Sequence, residues 1–430
     1  MKIAIHTLGC KVNQSESFSL EAMLREEGHE VVGDKENPDM YVINTCTVTA
    51  KSDYQSRQII RKAIRTGARV IATGCYAQLR PEELSKINGI DLVIGNSHKD
   101  NLLEYLDNKP SNGSGPDIFI DLPDTPLLSR PYYSERARAF LKIQDGCNFS
   151  CTYCAIPMAR GKCRSLEPDK VIKSVAELTT AGYKEIVLTG IHIGLYGVDL
   201  KIKTSLYEIV EKILKSNSIP RIRLSSLEPN EFDDRFLDMI KEGSLCSHLH
   251  IPLQSGSDNV LKKMNRGYDT SYFSRVVERI ILKCPDISIG TDLIVGFPGE
   301  SEQDFNRTLK YIDEMPLSYI HTFPYSKRAN TAAESFPEHV NNVLIKDRVK
   351  KVLKIGERKK KSYITSNLGK QLDVIVENKT AIDGYYKVIS SNYIRPLLRG
   401  NDLIAGQRLP VLAVSMDNEE LICKPIIKLN

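Results

Sequence analysis

The feature that most constrains this chain of 430 residues is a run of three closely spaced cysteines. Cys147, Cys151 and Cys154 form a Cys-x3-Cys-x2-Cys pattern, which places three thiolates within one short loop. A complete set of cysteine ligands closes an ordinary [4Fe-4S] cluster, so a set lacking the fourth thiolate leaves one iron free to coordinate a group that is not protein. The spacing therefore predicts an iron–sulfur cluster with one open position.

Two other interpretations of these cysteines remain open from the residues alone. A zinc site needs a fourth nitrogen or sulfur ligand, and the nearest further candidate is Cys163. Buried structural thiols are the other alternative. Disulfides are disfavoured, because residues 1–6 have the pattern of a strand and lack the charged and apolar regions of a signal peptide. We therefore expect a protein of the reducing cytoplasm.

Composition limits the class of protein. The content of 41% hydrophobic and 26% charged residues is typical of a soluble globular chain. No uninterrupted apolar stretch reaches membrane-spanning length, so we expect no membrane association. The net charge of +5 is too mild to identify a nucleic-acid binder by itself. The length predicts about two to four domains.

The first part of the chain alternates short apolar runs with helical patterns. Strands are predicted at residues 3–5, 40–43, 69–72 and 92–94, and helices at 15–27 and 53–65. This alternation favours an α/β domain with a mainly parallel sheet, which we assign to residues 1–107. Residues 108–133 contain five prolines and a Ser-Asn-Gly-Ser-Gly tract, which is typical of a linker, with a short strand predicted at 118–120.

Residues 134–366 resume the alternation and are predicted to form a second domain. Six strands are predicted at residues 140–144, 185–189, 221–226, 248–253, 288–295 and 319–324, separated by helices at 170–180, 206–214, 232–241, 272–282 and 302–313. Ser301 is predicted to cap the last of these helices. Six βα units are too few for a closed eight-stranded barrel, so we predict an open, partial one with its active face at the carboxyl ends of the strands.

The last part of the chain begins with a long basic helix, predicted at residues 340–367. Nine Lys or Arg residues lie between positions 346 and 361, so the helix is either a solvated outer helix, an RNA-binding surface, or both. Residues 367–430 then show alternating apolar runs at 372–376, 385–389 and 408–414, which predict a small antiparallel β-barrel.

A second set of cysteines is predicted to meet in space. Cys10, Cys46 and Cys75 each follow a predicted strand of the first domain. The loops at the carboxyl ends of parallel strands converge on one edge of a sheet, so these thiols become neighbours. We interpret them as a second three-thiolate cluster site, against the alternative of three unrelated buried cysteines. The other four cysteines, at positions 163, 246, 284 and 423, show no such pattern.

The order of these parts resembles the radical S-adenosylmethionine (SAM) methylthiotransferases over essentially the whole chain. Three sequence segments, at residues 9–16, 44–49 and 73–78, are similar to the branch that acts on N6-threonylcarbamoyladenosine in tRNA. The resemblance implies an α/β fold with a C-terminal TRAM domain that binds RNA. It implies two [4Fe-4S] clusters and SAM as cofactors, with Cys147, Cys151 and Cys154 holding the radical cluster and Cys10, Cys46 and Cys75 the auxiliary one.

The resemblance also suggests which residues contact SAM. Tyr153 occupies the aromatic position near the adenine, whereas the segment from Thr189 and Gly190 to His192 departs from the usual Gly-Gly-Glu near the methionyl amino group. Further SAM contacts are expected at the ends of later strands: Ser226, Glu228, Gln254, Asp292 and Ile294. His250 and His321 are predicted to be core side chains with satisfied hydrogen bonds. RNA contacts are expected from the last domain: Tyr393, Arg395 and Arg399.

The implied activity is replacement of the C2 hydrogen of the modified adenosine 3′ of the anticodon by a methylthio group, with tRNA as substrate and an electron donor and a sulfur source as partners. One alternative is a sister methylthiotransferase that acts on isopentenyladenosine or on ribosomal protein S12. Another is a non-catalytic iron–sulfur protein that binds RNA.

Overall fold

The computed structural model describes residues 1–106, 115–122, 137–216, 220–382 and 384–426. The linker prediction for 108–133 falls mostly outside these residues, and so does the end of the chain after residue 426. No helix in the described ranges is long and apolar enough to cross a membrane.

The first part of the chain is a six-stranded parallel sheet with helices on its faces, as predicted. Its strands have the order β2-β1-β3-β4-β5-β6, so ligand-binding loops gather at the carboxyl edge beyond β1, β3 and β4. The elements are β1 (Lys2–Thr7), α1 (Lys11–Glu26), β2 (Glu30–Val31), β3 (Met40–Thr45), α2 (Ala50–Ile64), β4 (Arg69–Gly74), α3 (Cys75–Leu79), α4 (Pro81–Ser85), β5 (Leu92–Ile94), α5 (Leu102–Leu106) and β6 (Asp117–Phe119).

The middle part is an open barrel of six parallel strands in sequential order. Two three-stranded sheets, β7-β10-β11 and β12-β13-β14, are joined by an isolated parallel bridge from Ile222 to Leu245. The elements are β7 (Ala139–Lys142), β8 (Gln144–Asp145), α6 (Ile156–Arg160), β9 (Arg164–Ser165), α7 (Pro168–Thr180), β10 (Glu185–Thr189), α8 (Leu206–Lys215), β11 (Arg221–Leu224), α9 (Phe236–Lys241), β12 (His248–His250), α10 (Asp258–Lys263), α11 (Thr270–Lys283), β13 (Ser288–Val295), α12 (Glu302–Glu314), β14 (Tyr319–Pro324) and α13 (Asn342–Thr365).

The alternation of side chains along the barrel strands separates two environments. Ile186, Leu188 and Ile289 pack outward with the apolar faces of the surrounding helices in one large core. Residues of the opposite parity, among them Glu185 and Arg223, point into the barrel. The outer face therefore stabilises the fold, while the inner face is free to carry polar groups.

Capping hydrogen bonds fix where the barrel helices begin. Ser301 Oγ accepts from the backbone N–H of Asp304 and forms a capping box, so the predicted cap of α12 is confirmed. Asp269 caps α11 by accepting from the N–H of Tyr272 at 2.7 Å. Both helices follow a barrel strand, so these caps lie at the carboxyl ends of the strands, the same end of the barrel as the cysteine run.

The long helix α13 packs along β14 and α12. Its Arg348 forms a buried ion pair with Glu300 at 2.7 Å, and Lys359 donates to the carbonyl oxygens of Asp313 and Met315. Part of its basic side thus binds the barrel itself, as expected of an outer helix that closes the domain.

The last part is a closed five-stranded barrel, as predicted, but the strand pair between residues 397–398 and 422–423 is parallel, whereas the prediction was an antiparallel barrel. Its strand order is β15-β16-β17-β19-β18. The strands are β15 (Gln371–Lys379), β16 (Tyr385–Ser390), β17 (Leu397–Arg399), β18 (Arg408–Asp417) and β19 (Glu420–Pro425).

Candidate active site

The Cys-x3-Cys-x2-Cys loop lies between β8 and α6, beyond the carboxyl end of the first barrel strand. The N–H of Cys154 donates to the carbonyl oxygen of Cys151 at 3.0 Å, and the N–H of Phe149 donates to Cys147 Sγ at 3.4 Å. Burial, together with the nearby thiols of Cys151 and Cys147, raises the pKa of the Cys154 thiol to about 12. Three sulfur donors that are close enough to interact electrostatically are a suitable ligand set for an iron–sulfur cluster.

An arginine supports the middle cysteine of this loop. Arg266 donates to Cys151 Sγ at 3.2 Å and to the Tyr153 hydroxyl at 3.3 Å, and its other terminal nitrogen pairs with Glu228. Hydrogen bonds to cluster sulfurs tune the reduction potential of the cluster. Glu228, which the sequence suggested as a SAM contact, is therefore placed to act on Cys151 through Arg266.

A cavity of about 220 Å³ borders Cys154. Four residues expected to contact SAM line it: Tyr153, Gln254, Asp292 and Ile294. Gln254 holds a left-handed backbone conformation (φ +70°), and its N–H and carbonyl groups bond to Asp292 and Ile294 at 2.8 and 2.9 Å. Residues 47–49, from the loop after Cys46, line the other side. The cavity thus lies between the first sheet and the open barrel.

Three other residues expected to contact SAM lie elsewhere. Thr189 and Gly190 end β10 but do not border this cavity, and a Cβ on Gly190 would come within 2.7 Å of the Gln144 side chain. Ser226 is exposed, and its side chain makes no hydrogen bond within the described ranges. Thr189, Gly190 and Ser226 therefore lie outside the cavity that the other four expected SAM contacts line.

His192 supports the first cysteine of the loop. Its Nδ1 lies 3.2 Å from Cys147 Sγ and its Nε2 lies 2.7 Å from a carboxylate oxygen of Glu231. Burial opposes protonation, but the hydrogen bonds to Cys147 and Glu231 raise the pKa of His192 to about 9. The segment that departs from Gly-Gly-Glu thus supplies a side chain to Cys147.

The structure brings Cys10, Cys46 and Cys75 together at the carboxyl edge of the first sheet. Burial, together with the proximity of Cys75 and Cys10, raises the pKa of the Cys46 thiol to about 11. Gly9 has φ +97°, and a Cβ there would lie 2.7 Å from Cys46 Sγ. Cys10 is exposed, while Cys46 and Cys75 are buried. This donor set fits a second cluster.

A buried ionic network joins the two groups of cysteines. Arg160 is fully buried and donates to Glu16 at 2.7 Å, to Asp145 at 3.0 Å and to the Asn13 side chain at 2.6 Å. Glu16 also accepts from Lys142 at 2.9 Å and from Lys99 at 2.5 Å. Glu16 and Asn13 belong to α1, directly after Cys10, whereas Arg160 ends α6, directly after the cysteine loop. The network therefore fixes one triad relative to the other.

A column of hydrogen bonds runs inside the barrel toward the cavity. Tyr319 Oη contacts His248 Nε2 at 2.8 Å and His250 Nδ1 at 3.1 Å, and Asp292 pairs with His250 at 2.9 Å and with His321 at 3.3 Å. Although burial opposes it, the two paired histidines hold the pKa of Asp292 well below its usual range. The prediction that His250 is a core side chain is confirmed, but the same prediction for His321 is wrong, because its side chain is 54% exposed.

The residues expected to contact RNA are divided between two environments. Arg399 and Arg395 are exposed, and Arg395 pairs with Glu377 at 2.8 Å. Tyr393 instead points into the open barrel, where its ring stacks on His248 at a centroid distance of 4.2 Å. Tyr393 thus lies at the amino-terminal ends of the barrel strands, whereas Cys154 lies at their carboxyl-terminal ends.

Several of these functional residues gave no signal in the sequence. Arg266 and Arg160 lie in loops or short helices with no recognisable spacing to the cysteines, and their partners are far away along the chain. Only Asn13 and Glu16 could have been found, because they share a helix face directly after Cys10.

Comparison with known proteins adds to this geometry. Two family models match the chain, the radical SAM superfamily over residues 141–312 and the uncharacterized protein family UPF0004 over residues 2–95. The first match covers the open barrel with its cysteine loop, and the second covers the sheet that carries the other three cysteines. Radical SAM chemistry implies SAM and a [4Fe-4S] cluster as cofactors, and the Cys147 loop fits that cluster.

Known relatives extend the similarity to almost the entire chain. A threonylcarbamoyladenosine tRNA methylthiotransferase, MtaB, of Aquifex aeolicus is 40% identical over 91% of this chain and 97% of its own length. The MtaB protein of Bacillus subtilis is 37% identical over 95% of this chain and 93% of its own length. The solved radical SAM methyltransferase TsrM of Kitasatospora setae shares the fold, with a TM-score of 0.59, 16% identity and coverage of 77% and 76% of the two chains. The chain is a SAM-dependent radical enzyme and belongs to the radical SAM methylthiotransferase family.

Proposed function

We propose that this enzyme replaces the C2 hydrogen of N6-threonylcarbamoyladenosine in tRNA, 3′ of the anticodon, with a methylthio group. The observation that carries the proposal is the pair of cysteine triads that flank one junction, fixed by Arg160 and Glu16. The MtaB relatives support the choice of nucleoside. The adenine C2–H bond is a poor target for acid–base catalysis, so the reaction needs a radical initiator.

The two triads have separate roles in this proposal. Cys147, Cys151 and Cys154 hold the cluster that, with SAM bound, supplies a 5′-deoxyadenosyl radical. Cys10, Cys46 and Cys75 hold a second [4Fe-4S] cluster, at which sulfur is delivered. The C2–H bond breaks and a C2–S bond forms. The hydrogen would leave on 5′-deoxyadenosine, the methyl group would come from another SAM, and the sulfur atom from the sulfur source. The electron donor would supply the one electron that cleaves SAM, and one electron would be released when the resulting C2 radical joins the methylated sulfur.

The chain's own residues orient SAM beside the first triad. Tyr153 and Ile294 offer apolar surface to the adenine ring in the cavity next to Cys154, and the ionised Asp292 is a hydrogen-bond acceptor at its floor. Ion pairs such as that of Arg328 with Asp53 close the junction between sheet and barrel, which limits access of water to the radical.

The remaining regions bind tRNA in this proposal. Residues 1–107, 134–366 and 367–430 act as the methylthiotransferase domain, the radical SAM barrel and the TRAM-like domain, with a linker at 108–133 that adds strand β6 to the edge of the first sheet. Arg399 lies on the exposed face of β17 and remains available for phosphate, and the exposed lysines of α13 extend the basic surface.

The test is anaerobic reconstitution with iron and sulfide, followed by incubation with SAM, a reductant and threonylcarbamoylated tRNA. We expect both 5′-deoxyadenosine and the methylthiolated nucleoside by mass spectrometry. Deoxyadenosine with product only on isopentenyladenosine tRNA or on ribosomal protein S12 would replace the proposed substrate by a sister one. Neither product from a fully loaded enzyme would favour the non-catalytic RNA-binding protein.

A further inference from the structure

One lysine next to the second cysteine triad forms no ion pair within the described part of the chain. Lys11 directly follows Cys10 at the start of α1, and its ammonium group makes no hydrogen bond or ion pair with any described residue. Its closest interaction is with the ring of Tyr393, whose centroid lies 5.7 Å from Nζ. A half-buried cation without an anion is costly in an isolated protein, and a ligand that supplies the anion offsets that cost.

Lys11 lies in the wall of a cavity of about 400 Å³ where all three parts of the chain meet. The first helix contributes Lys11 and Gln14, the start of the barrel contributes Ala137, Arg138 and Phe140, and the C-terminal barrel contributes Glu377, Tyr393 and Arg395. This cavity is separate from the one beside Cys154, with which it shares no lining residue.

The other two cations of this cavity are already neutralised. Arg138 pairs with Glu185 and Glu377, each at 3.2 Å, and Arg395 pairs with Glu377 at 2.8 Å. Among the three cationic residues that line this cavity, Lys11 is therefore the one that remains free to bind an anion. Gln14, one turn further along α1, adds an amide whose side chain has no hydrogen bond within the described ranges.

The aromatic wall of the cavity is held in place by an unusual backbone. Tyr393 has φ +67°, a left-handed conformation that a bulky residue adopts only where its surroundings impose it. The stack on His248 and the Arg223 guanidinium, 5.2 Å from the ring centroid, keep the ring at this position. Strained residues of this kind concentrate at ligand-binding sites.

We propose that Lys11 binds a carboxylate carried by the substrate base, namely that of the amino acid attached to N6 of the adenosine, with Gln14 and Tyr393 contacting the rest of the adduct. This inference rests on the proposed function. C2 and N6 lie on the same edge of adenine, so a base whose C2 lies at the second triad directs its N6 substituent along the start of α1, where Lys11 follows Cys10 in the chain. Lys11 is thereby a specificity-determining residue, distinct from the groups that hold the clusters.

The test compares two anticodon stem-loop RNAs, one with the free carboxylate and one with the same carboxylate capped as a methylamide. Equilibrium binding and kcat/KM are measured on the reconstituted full-length enzyme. For the wild type we expect the capped RNA to bind about 10- to 100-fold more weakly, which is the effect of losing one charge-assisted hydrogen bond. For Lys11→Gln we expect the two RNAs to bind within about twofold of each other, and Lys11→Arg should restore most of the preference.

Two controls separate this role from a structural one. Iron content and the visible spectrum of each variant report whether Cys10 still holds its cluster. Lys173→Gln, on the exposed face of α7, should retain the wild-type preference for the free carboxylate. If Lys11→Gln loses its cluster, the role of Lys11 is judged from the preference of the wild type and of Lys11→Arg for the free-carboxylate RNA over the capped RNA.

The experiment distinguishes a failure of the proposed function from a failure of the proposed role of Lys11. No methylthiolation of the free-carboxylate RNA by the wild type would contradict the proposed function. Methylthiolation with equal use of the capped RNA, or an unchanged preference in Lys11→Gln, would overturn the role of Lys11 and leave the proposed function standing.

Discussion

Cys147, Cys151 and Cys154 lie in one loop, whereas Cys10, Cys46 and Cys75 come from the ends of three different strands. The local triad depends on a few turns of backbone and on side chains that reach it from the barrel, such as Arg266 and His192. The dispersed triad depends on the whole parallel sheet, because a shift of one strand relative to the next would move a sulfur away.

The difference shows why one triad is evident from spacing and the other only from topology. Spacing defines a ligand set when the residues are close in sequence, but separated residues need a fold that brings them together. The dispersed triad is therefore expected to be the more sensitive of the two to changes in packing.

Removal of one cysteine from each triad gives the largest effect. We expect Cys151→Ala to lose 5′-deoxyadenosine formation completely and Cys46→Ala to retain it, while both lose the methylthiolated nucleoside. The reason is that radical formation needs the local triad alone, whereas sulfur insertion needs both. Mass spectrometry of both products checks this. Deoxyadenosine formation lost in Cys46→Ala, with its iron content reduced only by half, would contradict the separation of roles.

Glu16→Gln tests the network that joins the triads. The substitution leaves Arg160, Lys142 and Lys99 buried around a neutral side chain, so we expect a loss of about 3–5 kcal/mol in the free energy of unfolding. Urea denaturation measures it. The matched control is Glu30→Gln on the exposed strand β2, which should change stability by less than about 0.5 kcal/mol. Equal effects of the two substitutions would show that the network does not stabilise the junction.

Gly9→Ala sharpens the comparison at the dispersed triad. The new Cβ would come within 2.7 Å of Cys46 Sγ in a left-handed backbone, at a cost of about 2–4 kcal/mol. We expect loss of the second cluster and retention of the first, measured by iron analysis. Gly28→Ala is the control, because Gly28 also has positive φ but nothing lies within 4 Å of its added Cβ. It should cost about 1 kcal/mol and keep both clusters.

Ser301→Ala has the smallest expected effect. It removes the cap of α12 and should reduce stability by about 1 kcal/mol. Since α12 lies outside both triads, we expect unchanged iron content and unchanged radical formation. A loss of either would mean that the triads depend on the outer helices of the barrel.

The sequence predicted the architecture well where apolar runs were continuous. Strands β5, β10, β13 and β14 have the predicted bounds. Strand β12 ends earlier than predicted, at His250, in a segment where Pro252 has no N–H to donate to a neighbouring strand. Strands β17 and β19 were not predicted, because β17 is only three residues long and the two-residue turn before β19, Asn418–Glu419, lacks the Asn-Gly or Asp-Gly pair typical of a hairpin.

The site was predictable only where ligands follow a pattern. All six cysteines of the two triads could be proposed from spacing or strand ends, and Tyr153, Gln254, Asp292 and Ile294 do share a cavity. The buried partners could not be proposed, because Arg160 and Glu16 are 144 positions apart and nothing in their local sequence marks them as a pair.

The most direct test of two separate cluster sites is Mössbauer and iron analysis of a variant in which Cys147, Cys151 and Cys154 are all replaced by alanine. After anaerobic reconstitution we expect one [4Fe-4S] cluster, with about four iron atoms per chain, held by Cys10, Cys46 and Cys75. A folded variant that binds no cluster would contradict the second site.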